Sequence, residues 1–537
     1  MKTSVLEKES KTLNKQKNKN SFLRIKSMDS VTCDDSKAHG SHGLVRSLGA
    51  WDLVSLGIGC IIGTGIFVLT GIAASNYAGP GVFFSFILAG VACTLAAFVY
   101  SEFASLVPLS GSAYTYVYVT LGELAAWLIG WNLLLEYLVS VSVVAIGWGA
   151  YFTNILKNFG FEFPKVFTAA PGTPDIPGAI MNLPALVITI ALTFLAIAGI
   201  KNSTVFNNII VAVKVSVVLF FIGFGLFHLH PEYWHPFIPP RIATHTGHAM
   251  DILHLPFNEF LTKLFQGTLG VQNDLVYHYG WQGVLTAAGI VFFAYIGFDA
   301  VTTVAEETKN PQRDLPIGIL GSLVICTVLY LIVSIILTGL IPVTIDGRPN
   351  PALTGHEAGA ALSVAFTALG HKWAALVIGF GALCGMTSII LVMIVGQARI
   401  LFSMSRDGLL PKLFSTIHKK YRTPYISTLL TGLLSGLIAA FTPILTVAEL
   451  TSIGTLAAFV FVCIAVLILR NTRPDLKAKF RCPGMPLTGI LGILINVFLM
   501  TGLPTATWVR FVVWMVIGLI IYYMYGFWFS KLKDVET

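Results

Sequence analysis

Twelve apolar runs dominate the chain, each near the roughly 20 residues that an α-helix needs to cross a bilayer's hydrocarbon. They cover about 50–75, 81–106, 119–150, 183–200, 204–228, 281–305, 315–341, 372–404, 426–441, 447–469, 486–505 and 507–530. In lipid every backbone polar group must find its partner within the segment, so runs of this length in series predict helices and exclude an open sheet. Composition agrees. Of 537 residues, 55% are hydrophobic and 11% charged, against about 25% charged in a soluble domain. Secreted disulfide scaffolds, disordered chains and nucleic-acid-binding domains are excluded. The reading is an all-α integral membrane protein with 12 transmembrane helices.

The basic residues orient it. With both termini on one side, that side collects 26 Lys/Arg and the other 7, with Lys214 left inside a run. Such a bias marks the cytoplasmic face, so both termini are expected in the cytoplasm. Residues 1–45 are polar, with nine Lys/Arg against five Asp/Glu and no apolar core of a signal peptide. They read as a disordered cytoplasmic tail, either solvated or lying on anionic lipid. Residues 531–537 form a second short tail. The segment 229–280 is the longest external one and holds His230, His235, His245, His248, His254 and His278. His245 and His248 have a spacing that could share a metal, but no carboxylate or cysteine completes a ligand set, so a surface flap is expected.

Two runs depart from ordinary membrane helix. The first contains Gly57, Gly59, Gly63 and Gly65, with Gly63-Thr64-Gly65 in mid-run. Each glycine costs a helix about 1 kcal/mol relative to alanine. Small residues four apart also serve close helix packing. A break here would start a new half-helix whose free N–H groups and partial positive charge suit a carboxylate. The carbonyls ending the preceding half, near Cys60 and Ile61, would suit an ammonium group. The sixth run repeats the irregularity in Phe292-Phe293-Ala294-Tyr295-Ile296-Gly297-Phe298-Asp299-Ala300, with an intramembrane carboxylate. The two runs each open a block of five, and paired interruptions at matching places point to a transporter built from inverted repeats.

At these residues the chain resembles the amino acid–polyamine–organocation superfamily. The first run's Gly57 to Phe67 carries the likeness. More specific stretches resemble bacterial members of the cationic amino acid transporter family: Phe292 to Pro316, Gln397-Ala398-Arg399 and Met404 to Pro411. The resemblance implies a LeuT-like 5+5 inverted repeat with helices 1 and 6 broken and two peripheral helices. The division would be 46–228 for the first repeat, 229–280 for the external loop, 281–470 for the second repeat and 471–530 for the last two helices. It also implies the inner membrane of a bacterium.

Site residues follow from the same resemblance. The amides of Thr64 and Gly65 would hold a substrate carboxylate. The carbonyls of Ile61, Phe293, Ala294 and Ile296 would hold the α-ammonium, and Phe298 would be an aromatic gate above the substrate. Glu136, inside the third run, would either receive a cationic side chain or be a satisfied glutamate in a helix seam. Met393 falls where cationic transporters carry a small residue and would fill the far end of the pocket. Lys214 resembles the fifth-helix lysine that replaces a sodium ion in the proton-coupled branch. A proton-coupling role, a fixed cationic tether and snorkelling to the surface all stand open for it.

The expected function is a proton-coupled symporter working by alternating access, for small or medium neutral L-amino acids such as alanine. Alternatives are an amino acid exchanger, an arginine or lysine transporter and, in another class, a non-transporting nutrient receptor. The proton is the coupling ion, sodium is not expected and no cofactor is implied. The expected partners are the amino acid and membrane lipid, not nucleic acid, with a small single-helix partner left open. No nucleophile–base pattern or metal cluster lies inside the runs, so an enzyme is not expected.

Overall fold

A computed structural model of the chain describes residues 47–106, 112–173, 176–199, 204–245, 252–266, 275–345, 348–353, 357–472 and 478–531. The expected tail 1–45 and all but Lys531 of 531–537 lie outside these residues, as does His248.

The first run does divide. Helix α1, Ala50–Ile61, stops in mid-run, and helical turns resume at Gly65 to lead without a long loop into α2, Val82–Leu106. Then come α3 (Ser112–Thr120), the 36-residue α4 (Glu123–Asn158), α5 (Leu183–Ile197) and α6 (Thr204–Leu226). A short helix α7 (Phe257–Phe265) precedes α8 (Gly280–Val291), which also stops in mid-run. The rest is α9 (Pro311–Leu340), α10 (Ala361–Ala368), α11 (Lys372–Arg406), α12 (Tyr425–Phe441), α13 (Ile444–Thr472), α14 (Leu487–Thr501) and α15 (Thr505–Ile521).

Among the described residues, eight helical stretches are long and apolar enough to cross a membrane, and α1, α5, α12 and α14 are shorter apolar helices. The difference from twelve equal spans has a simple physical cause. At 1.5 Å per residue, a 15-residue helix such as α5 is only about 22 Å long, short of a hydrocarbon core about 30 Å thick.

The bundle centres on α4 and α11, which pack along one another. Helix α9 lies against α1 and α2, α13 against α4, and α12 against α5. Small residues permit the close approaches. A Cβ on Gly57 would run into Ser322, one on Gly396 would sit 2.7 Å from the Tyr137 ring, and one on Gly432 would run into Thr193.

Two ends of the bundle can be told apart by their contacts. At one, here the tail end, Leu48 pairs with Thr308 as α1 begins. There Tyr522 donates to Glu123 at 3.0 Å, Ser530 donates to Glu123 at 2.5 Å and Tyr114 donates to Asp407 at 2.8 Å. At the other, the loop end, the segment expected as a flap is a built layer. Strand β1 (Ile242–His245) pairs antiparallel with β2 (Leu275–His278), and a smaller ribbon joins β3 (Thr344–Ile345) to β4 (Arg348–Pro349). So the all-α reading holds for the apolar runs, while the polar connections, free of the lipid constraint, form short ribbons. Backbone bonds from Phe257 to Leu503, Thr505 to Leu255 and Tyr279 to Tyr77 pin the layer down.

The tail end also carries a bidentate ion pair. Arg470 donates from Nε to Glu102 Oε1 at 2.9 Å and from Nη2 to Oε2 at 2.7 Å, while the Cys482 amide donates to the same Oε2 at 2.8 Å. Glu102 is buried at 4% side-chain exposure and Arg470 is 34% exposed. Glu102→Ala should therefore destabilise by about 2 kcal/mol, less than the roughly 3–5 kcal/mol lost on breaking a wholly buried pair. Cys482→Ala keeps the amide and should cost less. Thermal unfolding in detergent checks both, and an unchanged midpoint for Glu102→Ala would remove the pair as a structural clamp.

Candidate substrate site

The two breaks face each other. In the first, Ile62 is extended (φ −73°, ψ 102°) after α1, and Phe67 N–H bonds the Gly63 carbonyl at 3.2 Å. The amides of Thr64, Gly65 and Ile66 open the new helical stretch, where no preceding turn supplies acceptors. Thr64 is buried and its Oγ1 has no hydrogen-bond partner. In the second, a 3₁₀ turn over Phe292–Tyr295 gives way to extended Ile296 and then to Gly297 at φ +115°. That φ excludes most side chains, and a Cβ there would lie 2.9 Å from the Cys60 carbonyl. A Cβ on Gly65 would run into the Ala294 backbone.

Four helix ends thus converge on a few ångströms of backbone. Positive amide ends and negative carbonyl ends are presented together, which is the arrangement a zwitterion needs. Tyr330 of α9 closes it: its hydroxyl donates to the Ile61 carbonyl at 2.9 Å and the Ala294 carbonyl at 2.7 Å. One proton shared by two acceptors leaves lone pairs on both carbonyls. The Phe293 carbonyl accepts from Ile296 N–H at 3.2 Å.

The structure brings Ile61, Thr64, Gly65, Phe293, Ala294 and Ile296 to this junction. Phe298 lies past Gly297, on the Asp299 side, packed against Tyr100 (ring centroids 5.7 Å) and Phe459 (5.2 Å). Glu136 is buried in α4, with the Thr455 hydroxyl facing it and Asp299 as a charged neighbour. Backbone amides of the 297–300 turn face the Asp299 carboxylate, whose Oδ2 keeps no hydrogen-bond partner. Met393 is buried in α11, one turn beyond Ile389, the residue whose side chain packs on Gly63.

Lys214 is wholly buried, which excludes snorkelling. Its Nζ donates to the Gly59 carbonyl at 2.6 Å, on the last turn of α1. Its methylenes cross α11 at Gly385, where a Cβ would sit 3.1 Å away. Tyr330 and Ile389 were not foreseen. A tyrosine hydroxyl in an apolar run needs a buried partner, and that signal was available for Tyr330. Nothing in the sequence set Ile389 apart from its neighbours.

Paired helix breaks that leave amide and carbonyl ends facing one another are joined by a family match: a sequence model described as amino acid permease covers residues 48–529. The chain belongs to the amino acid permease family. The permease is 44% identical over 517 residues to the branched-chain amino acid permease BcaP of Bacillus subtilis, covering 96% of this chain and 100% of that one. It is 42% identical over 506 residues to the methylthioribose transporter of the same organism, covering 94% and 98%. It is 36% identical over 458 residues to the vacuolar cationic amino acid transporter 4 of Arabidopsis thaliana, covering 85% and 68%. These relatives are transporters and permeases, not enzymes, and this chain is a multi-pass membrane protein that transports amino acids.

The junction geometry makes a prediction. Gly65→Val drives a side chain into Ala294 and should abolish saturable uptake of labelled amino acid with the gel-filtration profile kept. Gly223→Ala, where the added Cβ meets nothing within 4 Å, should leave uptake unchanged. Normal uptake by Gly65→Val would show that the two breaks do not form the site.

Proposed function

We propose that this permease is a proton-coupled symporter for small or medium neutral L-amino acids, from alanine up to the branched-chain size named for its Bacillus relative. The observation carrying this reading is the Lys214 ammonium bonded to the Gly59 carbonyl at 2.6 Å in a fully buried position. Burial opposes a charge on lysine, while the carbonyl end of a helix favours it. A group held between these two opposing effects can gain or lose a proton as the neighbouring break is filled or emptied. Deprotonated, the amine no longer brings a positive charge to the end of α1, and the α1–α6 contact loosens.

The substrate lies at the junction, its carboxylate on the Thr64 and Gly65 amides and its ammonium on the carbonyls of Ile61, Phe293, Ala294 and Ile296. Phe298 walls the Asp299 side. Glu136 is engaged by the Thr455 hydroxyl rather than left open to a ligand, and Met393 is a buried apolar side chain. This favours neutral cargo over arginine or lysine. Sodium is not required, because Lys214 supplies the positive charge between the helices.

The architecture is a 12-span LeuT-like pair of inverted repeats, 46–228 and 281–470, with 471–530 peripheral. Two features support it. The first helices of the blocks, α1 and α8, are each 12 residues long before their breaks. They start from opposite ends of the bundle: α1 from the tail end by Leu48 and Thr308, α8 from the loop end by Tyr279 and Tyr77. The tail end, which gathers the basic connections, faces the cytoplasm across a bacterial inner membrane. Alternating access then opens the junction to one side at a time, by binding that differs between two states. The 1–45 tail is a cytoplasmic appendage in this scheme.

The test is uptake of labelled alanine and leucine into liposomes under an inward proton gradient, without sodium. Wild type should accumulate substrate above the gradient-free level, and Lys214→Ala should lose that excess. Substrate binding without gradient-driven accumulation in wild type would overturn symport and leave exchange or sensing.

A further inference from the structure

Helices α6 and α11 touch once per turn along their length. At the middle, Lys214 crosses Gly385, and a turn further a Cβ on Gly381 would run into Val217. Nearer the loop end, Phe220 and Phe224 pack on Trp373, with ring centroids 5.7 and 5.3 Å apart. The series ends in two histidines. His228 lies just past α6 and His371 caps the start of α11, and their Nε2 atoms are 3.1 Å apart. Both side chains are half-buried.

The proton count at this pair is constrained. The His228 Nδ1 lies 3.1 Å from the Phe224 carbonyl. A carbonyl only accepts, so Nδ1 carries a proton, and a neutral ring so held turns its Nε2 lone pair towards His371. The ring is stacked on Phe224, with centroids 4.9 Å apart, which fixes its direction. Phe224 also meets the His371 ring edge-on at 5.3 Å. An imidazole anchored through one nitrogen to a backbone carbonyl, with the other nitrogen free, is the usual posture of a metal-binding histidine. Two such nitrogens on one tetrahedral zinc, at bonds of about 2.0–2.1 Å, stand about 3.3 Å apart, close to the spacing here.

We propose that His228 and His371 form a two-imidazole site for a borderline divalent cation such as Zn²⁺, at the loop end of the permease. Binding places the His371 proton on Nδ1, and both Nε2 lone pairs go to the metal. Among the described residues no group of three or more histidine, cysteine or acidic side chains could hold a metal, so water completes the coordination from the half-exposed side. The occupied site staples the loop ends of α6 and α11, the helices that also meet at Lys214. It therefore restrains their relative movement and slows transport from outside the substrate junction.

The experiment uses the full chain and Zn²⁺ alone. Purified wild type should gain thermal stability with added Zn²⁺ and lose the gain with a chelator. His228→Gln and His371→Gln should each lose the shift while keeping uptake in metal-free buffer. In liposomes, Zn²⁺ on the loop-end side should slow wild-type uptake and leave the variants unaffected. No Zn²⁺-dependent shift in wild type would mean a plain imidazole–imidazole hydrogen bond and overturn the site. An equal shift in wild type and both variants would place the metal on other histidines, also overturning it.

Discussion

A lysine ammonium on the carbonyl end of a truncated helix is the contact on which the rest of this permease depends. Taking a charge out of water costs several kcal/mol unless it is compensated. Lys214 finds compensation at the Gly59 carbonyl, on the last turn of α1, whose backbone breaks three residues later at Ile62. The end of α1 at the break is therefore the acceptor for a buried cation. Gly385 lets the lysine stem pass, which brings α11 into the same contact. One side chain thus ties together the helix that binds, the helix that packs over it and its own helix.

The second break is joined to the first by close backbone approach and by one side chain. Gly297 rests on the Cys60 carbonyl and Gly65 on Ala294, while Tyr330 bonds carbonyls from both breaks. At Gly65 and Gly297 no side chain separates the two breaks. A ligand bridging these ends would move as cargo if its contacts differ between two arrangements of the halves.

Much of this was legible in the sequence for physical reasons. Lipid forbids unsatisfied backbone, so the apolar runs had to become helices, and glycines clustered within such a run had to serve either packing or a break. Gly57 serves packing and Gly65 the break. Lys214 stood out because a charge so far inside an apolar run has few acceptable explanations. Other features were illegible because they depend on which faces meet. Ile389 is one isoleucine among many in α11, and only the register of α11 on α1 puts it over Gly63. Phe298 packs on Tyr100 and Phe459, contacts that depend on where α2 and α13 lie and leave no mark in the local sequence. The His228–His371 contact joins residues 143 apart in sequence, and no local pattern marks it. The described parts of 229–280 are polar and contain prolines without periodicity, and contacts such as Phe257 with Leu503 and Leu255 with Thr505 hold them against the ends of α14 and α15.

The account rests most directly on proton movement accompanying the amino acid. A pH-sensitive dye trapped inside liposomes, with no imposed gradient and no sodium, reports it when external amino acid is added. The account predicts internal acidification that saturates with amino acid concentration and disappears in Lys214→Met. Amino acid entry at the wild-type rate with no change in internal pH would contradict it.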